Sequence, residues 1–225
     1  MPITRIAAFV DGYNLYHGIN DTDDGAMRCW LWVDLHELVR RIAPKDSTEI
    51  VAINYYSAQR GTQGSRDRQA AFIAANQELH RKEFRPVMGF MKAKEPDCMS
   101  SSCLLPGTKW VEKRSDVNLA VDMVLGATKP APDYDMAVLI TGDADQVRSV
   151  EAVQEAGRKV IVAFPPGRYS DELRDACSIE TQNISSTRLR QSQMQDEVVV
   201  GGWVAKRPTE WPERPGSFPE STQQA

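Results

Sequence analysis

No apolar run in this chain of 225 residues approaches the roughly 18 residues that a membrane span needs. A membrane partner is therefore not expected. The amino terminus shows no basic stretch followed by a long apolar run, so no secretory signal is read and the cytoplasm is the expected compartment. Cysteine is scarce. Four residues (Cys29, Cys98, Cys103, Cys177) are too few and too scattered for a disulfide framework at this length. Positive charge is not in excess either: the net charge is −4. That argues against a protein held on nucleic acid by charge everywhere, but not against a local basic groove, because phosphate contacts depend on local Lys and Arg. The size fits one domain with a substantial core.

What the chain does have is aspartate at the ends of apolar runs. Ile6-Ala7-Ala8-Phe9-Val10 ends at Asp11, in Asp11-Gly12-Tyr13-Asn14. Ala137-Val138-Leu139-Ile140 ends in Thr141-Gly142-Asp143-Ala144-Asp145. Both runs have the length of a buried strand. In an open α/β sheet, ligands bind at the carboxyl ends of the strands. Acids at two neighbouring ends would converge, and like charges held close are unfavourable unless a cation or a shared proton offsets them. A divalent-metal site is the first inference.

Periodicity supplies the frame. Strands are predicted at 5–10, 50–57, 84–91, 137–141 and 159–164, the third at an edge because of Pro86. Helices are predicted at 34–42 with Asp34 as cap, at 65–82 led by Ser65, at 116–127, at 145–156 and at 170–177. This alternation implies an α/β fold with a central, mostly parallel sheet of about five strands and right-handed crossovers. Two segments are expected: 1–188 as the main domain, and 189–225 as a hairpin around Gly201-Gly202 followed by a proline-rich tail, partly disordered. The place of Trp211 in that tail is left open.

Each acid also has a plain structural use. Asp11 before Gly12 suits a turn. Asp116 suits the first turn of a helix, where the dipole favours negative charge. Asp143 or Asp145 suits a cap. Asp122 lies six residues beyond Asp116, about 240° around a helix, and is read as a surface or outlying group. One capping acid is ordinary; two on a tight turn after a buried strand shift the balance toward a site. The third reading, a dinucleotide-binding protein, is poor. The first turn lacks Gly-x-Gly-x-x-Gly, and an acid there would repel pyrophosphate.

Phe9-Val10-Asp11-Gly12-Tyr13-Asn14-Leu15, Glu112-Lys113-Arg114-Ser115-Asp116-Val117-Asn118-Leu119-Ala120-Val121-Asp122 and Leu139-Ile140-Thr141-Gly142-Asp143-Ala144-Asp145, taken in that order, resemble the NYN domain. This is the LabA-like group of the PIN-like ribonucleases. The later Ala163-Phe164-Pro165-Pro166-Gly167-Arg168 run also fits, and the resemblance covers roughly residues 4–185. It implies a Rossmann-like, PIN-type three-layer fold with the first and fourth predicted strands adjacent. It also implies an acidic pocket of Asp11, Asp116, Asp143 and Asp145, with Asn14 beside it. Two departures stand out. Gln146 occupies a position where the family commonly has Phe or Leu, and Ser115 one where it often has Gly or Thr.

The activity so implied is endoribonuclease action with Mg²⁺ or Mn²⁺, whose preference for hard oxygen ligands suits carboxylates. Asp11 and Asp143 would be the principal ligands, with Asp116 and Asp145 completing the shell through waters. One ion, or a pair about 4 Å apart, would activate water for in-line attack on a phosphodiester. RNA is the expected partner, and a homo-oligomer is compatible with the sequence. Lys113 is the favoured cation for the substrate among Arg60, Arg66, Arg68, Lys92, Lys94, Lys113, Arg114 and Arg168. Tyr13 and Tyr16 are available to stack a base, although core packing is the expected use of at least one. Of the three histidines (His17, His36, His80), none has an ordered partner in sequence, and His17 is read as a surface group. Cys98 and Cys103 have the spacing of half a zinc site, but a second pair is missing and free thiols are the favoured reading. Cys177 is read as core. The alternative function is an RNA- or protein-binding regulatory module of the same fold with little or no nuclease activity.

Overall fold

The computed structural model describes residues 3–45, 47–59, 61–94 and 109–215, with backbone alone at 91–94 and 109–112. Its centre is a six-stranded sheet in the order β3-β2-β1-β6-β7-β8. The strands are β1 (Thr4–Asp11), β2 (Thr48–Ser57), β3 (Phe84–Met88), β6 (Met136–Ile140), β7 (Lys159–Phe164) and β8 (Glu180–Asn183). Every pairing is parallel. β8 exceeds the five strands expected. It is Glu-Thr-Gln-Asn, with no apolar residue to betray it.

Helices cover both faces, which is why β1 and β6 read as continuous apolar runs. The side chains alternate between two cores. Ile6, Ala8, Val10, Met136, Val138 and Ile140 face one; Ala7, Phe9, Ala137 and Leu139 face the other. The first core is closed by α1 (Gly12–Asp21), α2 (Leu35–Ile42), α3 (Gln63–Leu79) and α7 (Ser186–Gln191). The second lies under α4 (Ser115–Thr128), α5 (Val147–Glu155) and α6 (Asp171–Ala176). The sheet therefore grows one way from β1 through β2 to β3, and the other way from β6 through β7 to β8. Between β1 and β6 the chain switches direction, the place where open α/β sheets bind ligands.

Several predicted boundaries move. α3 is capped by Thr62, whose side chain accepts from Ser65 N, so Ser65 belongs to the first turn rather than preceding it. The strand predicted at 84–91 breaks at Gly89. β3 stays in the main sheet at its edge, while β4 (Phe90–Lys94) pairs antiparallel with β5 (Lys109–Lys113) as a separate ribbon. The helix predicted at 145–156 begins as a 3-10 turn, Ala144–Gln146.

The carboxyl-terminal segment forms a hairpin of β9 (Glu197–Val200) and β10 (Trp203–Lys206). Gly201 and Gly202 turn it with φ of 54° and 86°. Beyond it, Trp211 is buried against Trp32, ring centroids 5.9 Å apart. Arg207 donates to the Cys29 and Pro212 carbonyls, and Arg214 pairs with Asp196 at 3.1 Å. No helix among the described residues is long and apolar enough to cross a membrane.

Candidate functional site

β1 and β6 are in register, with Val10 opposite Ile140. One residue further, Asp11 and Thr141 stand side by side at the switch point. Asp11 is buried, 8% exposed, and both carboxylate oxygens are engaged. Oδ1 accepts from Asn14 N at 2.9 Å, capping α1, and Oδ2 accepts from the Thr141 hydroxyl at 2.9 Å. The turn after β6 is bound to this pair. Asn14 Oδ1 accepts from Gly142 N at 3.0 Å, and Asp143 N donates to Thr141 Oγ1 at 3.1 Å. Asp143 Oδ1 accepts from Asp145 N at 3.0 Å. Gly142 cannot carry a side chain, because a Cβ there would lie 2.0 Å from the Arg168 carbonyl oxygen. The loop after β7 is thereby laid directly on the turn.

The third acid arrives through the residue that departs from the family pattern. Gln146 is buried, and its Nε2 donates to the Asp116 carbonyl at 3.3 Å. Ser149 Oγ donates to the Gln146 backbone and side-chain oxygens at 2.7 and 2.9 Å. Gln146 thus ties the first turn of α4, which carries Asp116, to the turn that carries Asp143 and Asp145. A larger apolar side chain would achieve such docking by contact; here a hydrogen bond does it. With Gln146 N donating to the Asp143 carbonyl at 3.2 Å, Asp11, Asn14, Thr141, Gly142, Asp143, Asp145, Gln146 and Asp116 form one continuous chain of hydrogen bonds.

Asp143 is half-buried, while Asp116 and Asp145 are exposed. Among the described residues Asp143 and Asp145 make no ion pair. Carboxylates are hard oxygen ligands of the kind Mg²⁺ or Mn²⁺ takes. Among the described residues, no three His, Cys, Asp or Glu side chains form a ready-made cage.

Asp122 lies apart from this chain, accepting from Tyr56 OH at 3.0 Å. Burial first, then the Asp122 charge and hydrogen bond, pushes the Tyr56 phenol well above its ordinary range. Lys113 is exposed beside the site. Arg114 takes φ 80° at the start of α4 and lies 4.6 Å over the Phe90 ring. Tyr13 and Tyr16 are 39% and 38% exposed, so neither serves as core. On α1 their positions point out of the sheet interface, and they flank the His17 ring at 4.3 and 5.2 Å. His17 in turn bonds Asp21 at 2.9 Å, as does Arg168 at 3.1 Å. His80 bonds Asp34 at 2.9 Å and stacks on His36, pairings that cross from α2 to the end of α3 and so have no sequence signal. Cys177 is half-buried rather than core, because it sits at the end of α6 and donates to the Val160 and Glu180 carbonyls. Arg60, Cys98 and Cys103 lie outside the described residues, as do the side chains of Lys92 and Lys94.

Thr141 is the residue that sequence reasoning passed over. It is fully buried and joins Asp11 to Asp143. Its signal was a hydroxyl at the end of a buried apolar strand, immediately before the Gly-Asp-x-Asp turn.

Residues 5–184 match the NYN domain, and the chain belongs to that family. It is 22% identical over 173 residues to the low amplitude and bright protein LabA of Synechococcus elongatus, a match covering 77% of this chain and 80% of that protein. The crystal structure of a protein of unknown function from Vibrio parahaemolyticus superposes with a TM-score of 0.51 at 21% identity. That match covers 81% of this chain and 94% of the other, and it speaks for the fold.

Proposed function

We propose that the chain is a metal-dependent endoribonuclease whose acids are Asp11, Asp116, Asp143 and Asp145. The observation that carries this reading is the hydrogen-bond chain that holds acids from β1, α4 and the turn after β6 at the switch point of the sheet. Asp11 and Asp143 would hold Mg²⁺ or Mn²⁺, with Asp116 and Asp145 reaching it through water. When bound, the ion lowers the pKa of its water and offsets charge developing on phosphate. The protein's own part is orientation. Thr141 and Asn14 N fix the Asp11 carboxylate, and Asp145 N fixes that of Asp143. Lys113 and Tyr13 would meet the RNA strand, with Asn14 holding the turn through Gly142 N. We assign the activity to residues 1–188.

A second reading rests on one observation. Asp11 already has a complete structural use as the cap of α1 and the partner of Thr141. A binding module of the same fold would keep those bonds and not cut. The deciding experiment is RNA cleavage with Mn²⁺ or Mg²⁺ by the wild type, Asp11→Asn and Asp143→Asn. Loss of cleavage in both variants supports the nuclease. Cleavage that survives both sinks the site, and a folded wild type that binds RNA without cutting it favours the module.

A further inference from the structure

A cavity of about 340 Å³ opens one residue beyond Asp11. It lies between α1, the carboxyl end of β2, the start of α3 and the carboxyl-terminal segment. Its aromatic walls are Tyr13, Tyr16, Tyr55, Phe72 and Trp211. Gly12 lets Tyr55 form the wall nearest the acids, since a Cβ there would lie 2.4 Å from the ring.

Polar groups in the cavity are few and specific. Ser57 is 4% exposed. Gln69 donates through Nε2 to Ser57 Oγ at 2.9 Å and to the Ala58 carbonyl at 3.2 Å. Those bonds leave the Ser57 hydroxyl proton to donate and Gln69 Oε1 to accept. Arg68, the cation of the lining, is held by Ser65 Oγ and paired with Glu210 at 3.4 Å.

This lining selects its ligand by chemistry. An aliphatic group would leave the Ser57 donor and the Gln69 acceptor unpaired, which is costly in a dry site. Among the described residues of the lining, an anion would find one Arg or Lys, Arg68, which is already paired with Glu210. A neutral planar heterocycle satisfies both, with faces for the rings and an edge that accepts and donates. The volume is that of a small-ligand pocket. We propose that the cavity holds one nucleobase of an RNA strand whose adjoining phosphate lies at Asp11 and Asp143. The proposal rests on the RNA reading above and adds a base subsite to it. Tyr13, two residues from Asp11 on the first turn of α1, spans the two places.

The test separates binding from cutting. The full chain is titrated in EDTA with a short single-stranded RNA carrying one 2-aminopurine, and quenching of its fluorescence is followed. Cleavage of the same RNA with Mn²⁺ is measured in parallel. Quenching is expected to saturate, and Tyr13→Ala and Gln69→Leu are each expected to weaken binding about tenfold, the loss of one stacking face or one buried pairing. Circular dichroism checks that both variants are folded; Tyr13 is a surface residue and its variant tests the cavity even if Gln69→Leu does not fold. Absence of quenching, or unchanged affinity in folded variants, overturns the subsite. Binding that depends on Tyr13 and Gln69 without any cleavage keeps the subsite and removes the nuclease. Cleavage that needs Asp11 but is indifferent to Tyr13 and Gln69 does the reverse.

Discussion

The same two strands, β1 and β6, end in opposite ways. Where they begin, Arg5 clasps Asp135 through its backbone N at 2.9 Å, through Nε at 3.2 Å and through a terminal nitrogen at 3.0 Å. Arg158 approaches the same carboxylate at 3.7 Å. The side-chain hydrogen bond from Arg5, helped by its backbone N–H, holds the Asp135 carboxyl below the usual range. Where the strands finish, the Asp11 and Asp143 carboxylates accept hydrogen bonds from two amide N–H groups and a hydroxyl. One end spends its carboxylate on a guanidinium of its own chain. The other orients its carboxylates by hydrogen bonds from amide and hydroxyl groups. At the first end the charge meets a guanidinium; at the second the carboxylates are aimed by hydrogen bonds.

The largest expected effect follows from removing one aimed charge. Asp11→Asn keeps a good helix cap, since Asn and Asp cap about equally well. Melting temperature is therefore expected to hold or rise. Metal-dependent RNA cleavage is expected to fall by more than the roughly 10–100-fold that loss of a supporting residue costs at a metal site. A fall in both stability and activity would mean that Asp11 is structural in the way Asp135 is, and the contrast between the ends would collapse.

Thr141→Val comes next. It preserves shape and removes the hydroxyl that joins Asp11 to Asp143. Stability is expected to drop by about 1–2 kcal/mol, because a buried acceptor and an N–H lose their partner. Cleavage is expected to drop roughly 10–100-fold, with folding checked by denaturant melts.

The two ends also differ in how far they could be read in sequence. The acid end was legible because buried parallel strands are continuous apolar runs and the carboxylates at Asp11, Asp143 and Asp145 interrupt them; Asp116, in the first turn of a helix, entered through the family resemblance. Thr141 carried only a weak signal, since a hydroxyl at a strand end is ordinary until register sets it opposite Asp11. The Arg5–Asp135 clasp spans 130 positions, and nothing local announces it. α1 was not predicted, and only Asp11 was read as a turn residue, although Asp11 and Asn14 have the spacing of a cap and the N–H that donates to it. β8 was missed because its side chains are polar and it sits at an edge, where the sheet asks for little burial. Trp211 looked stranded among prolines, and only the folded position of Trp32 shows where it goes.

A smaller change sharpens the acid end. Gln146→Leu restores the apolar type common in the family and removes the bond to the Asp116 carbonyl. Stability is expected to change by less than about 1 kcal/mol, because leucine still fills the buried site. Cleavage is expected to shift by about tenfold or less, either way, as Asp116 is held by contact instead of by a bond. A loss as large as that of Asp11→Asn would move Gln146 from positioning Asp116 to contacting substrate.

The smallest effect belongs to the clasp. Asp135→Asn is expected to lower the melting temperature slightly at neutral pH, less so in high salt, because the pair is partly exposed and screened. Cleavage should not change. The pH dependence gives the sign. Asp135 has a depressed carboxyl pKa in the folded chain, so its contribution is fully present above the ordinary aspartate value of about 3.9. It is lost as pH falls through the lower folded value. Melts of wild type and Asp135→Asn should therefore differ at pH 6 and converge in acid. If they run parallel down to the lowest pH at which the chain stays folded, the clasp is not what separates them. If Asp135→Asn also slows cleavage, the two ends of β1 and β6 are coupled, and the site draws on the frame at its far end as well as on the turn beside it.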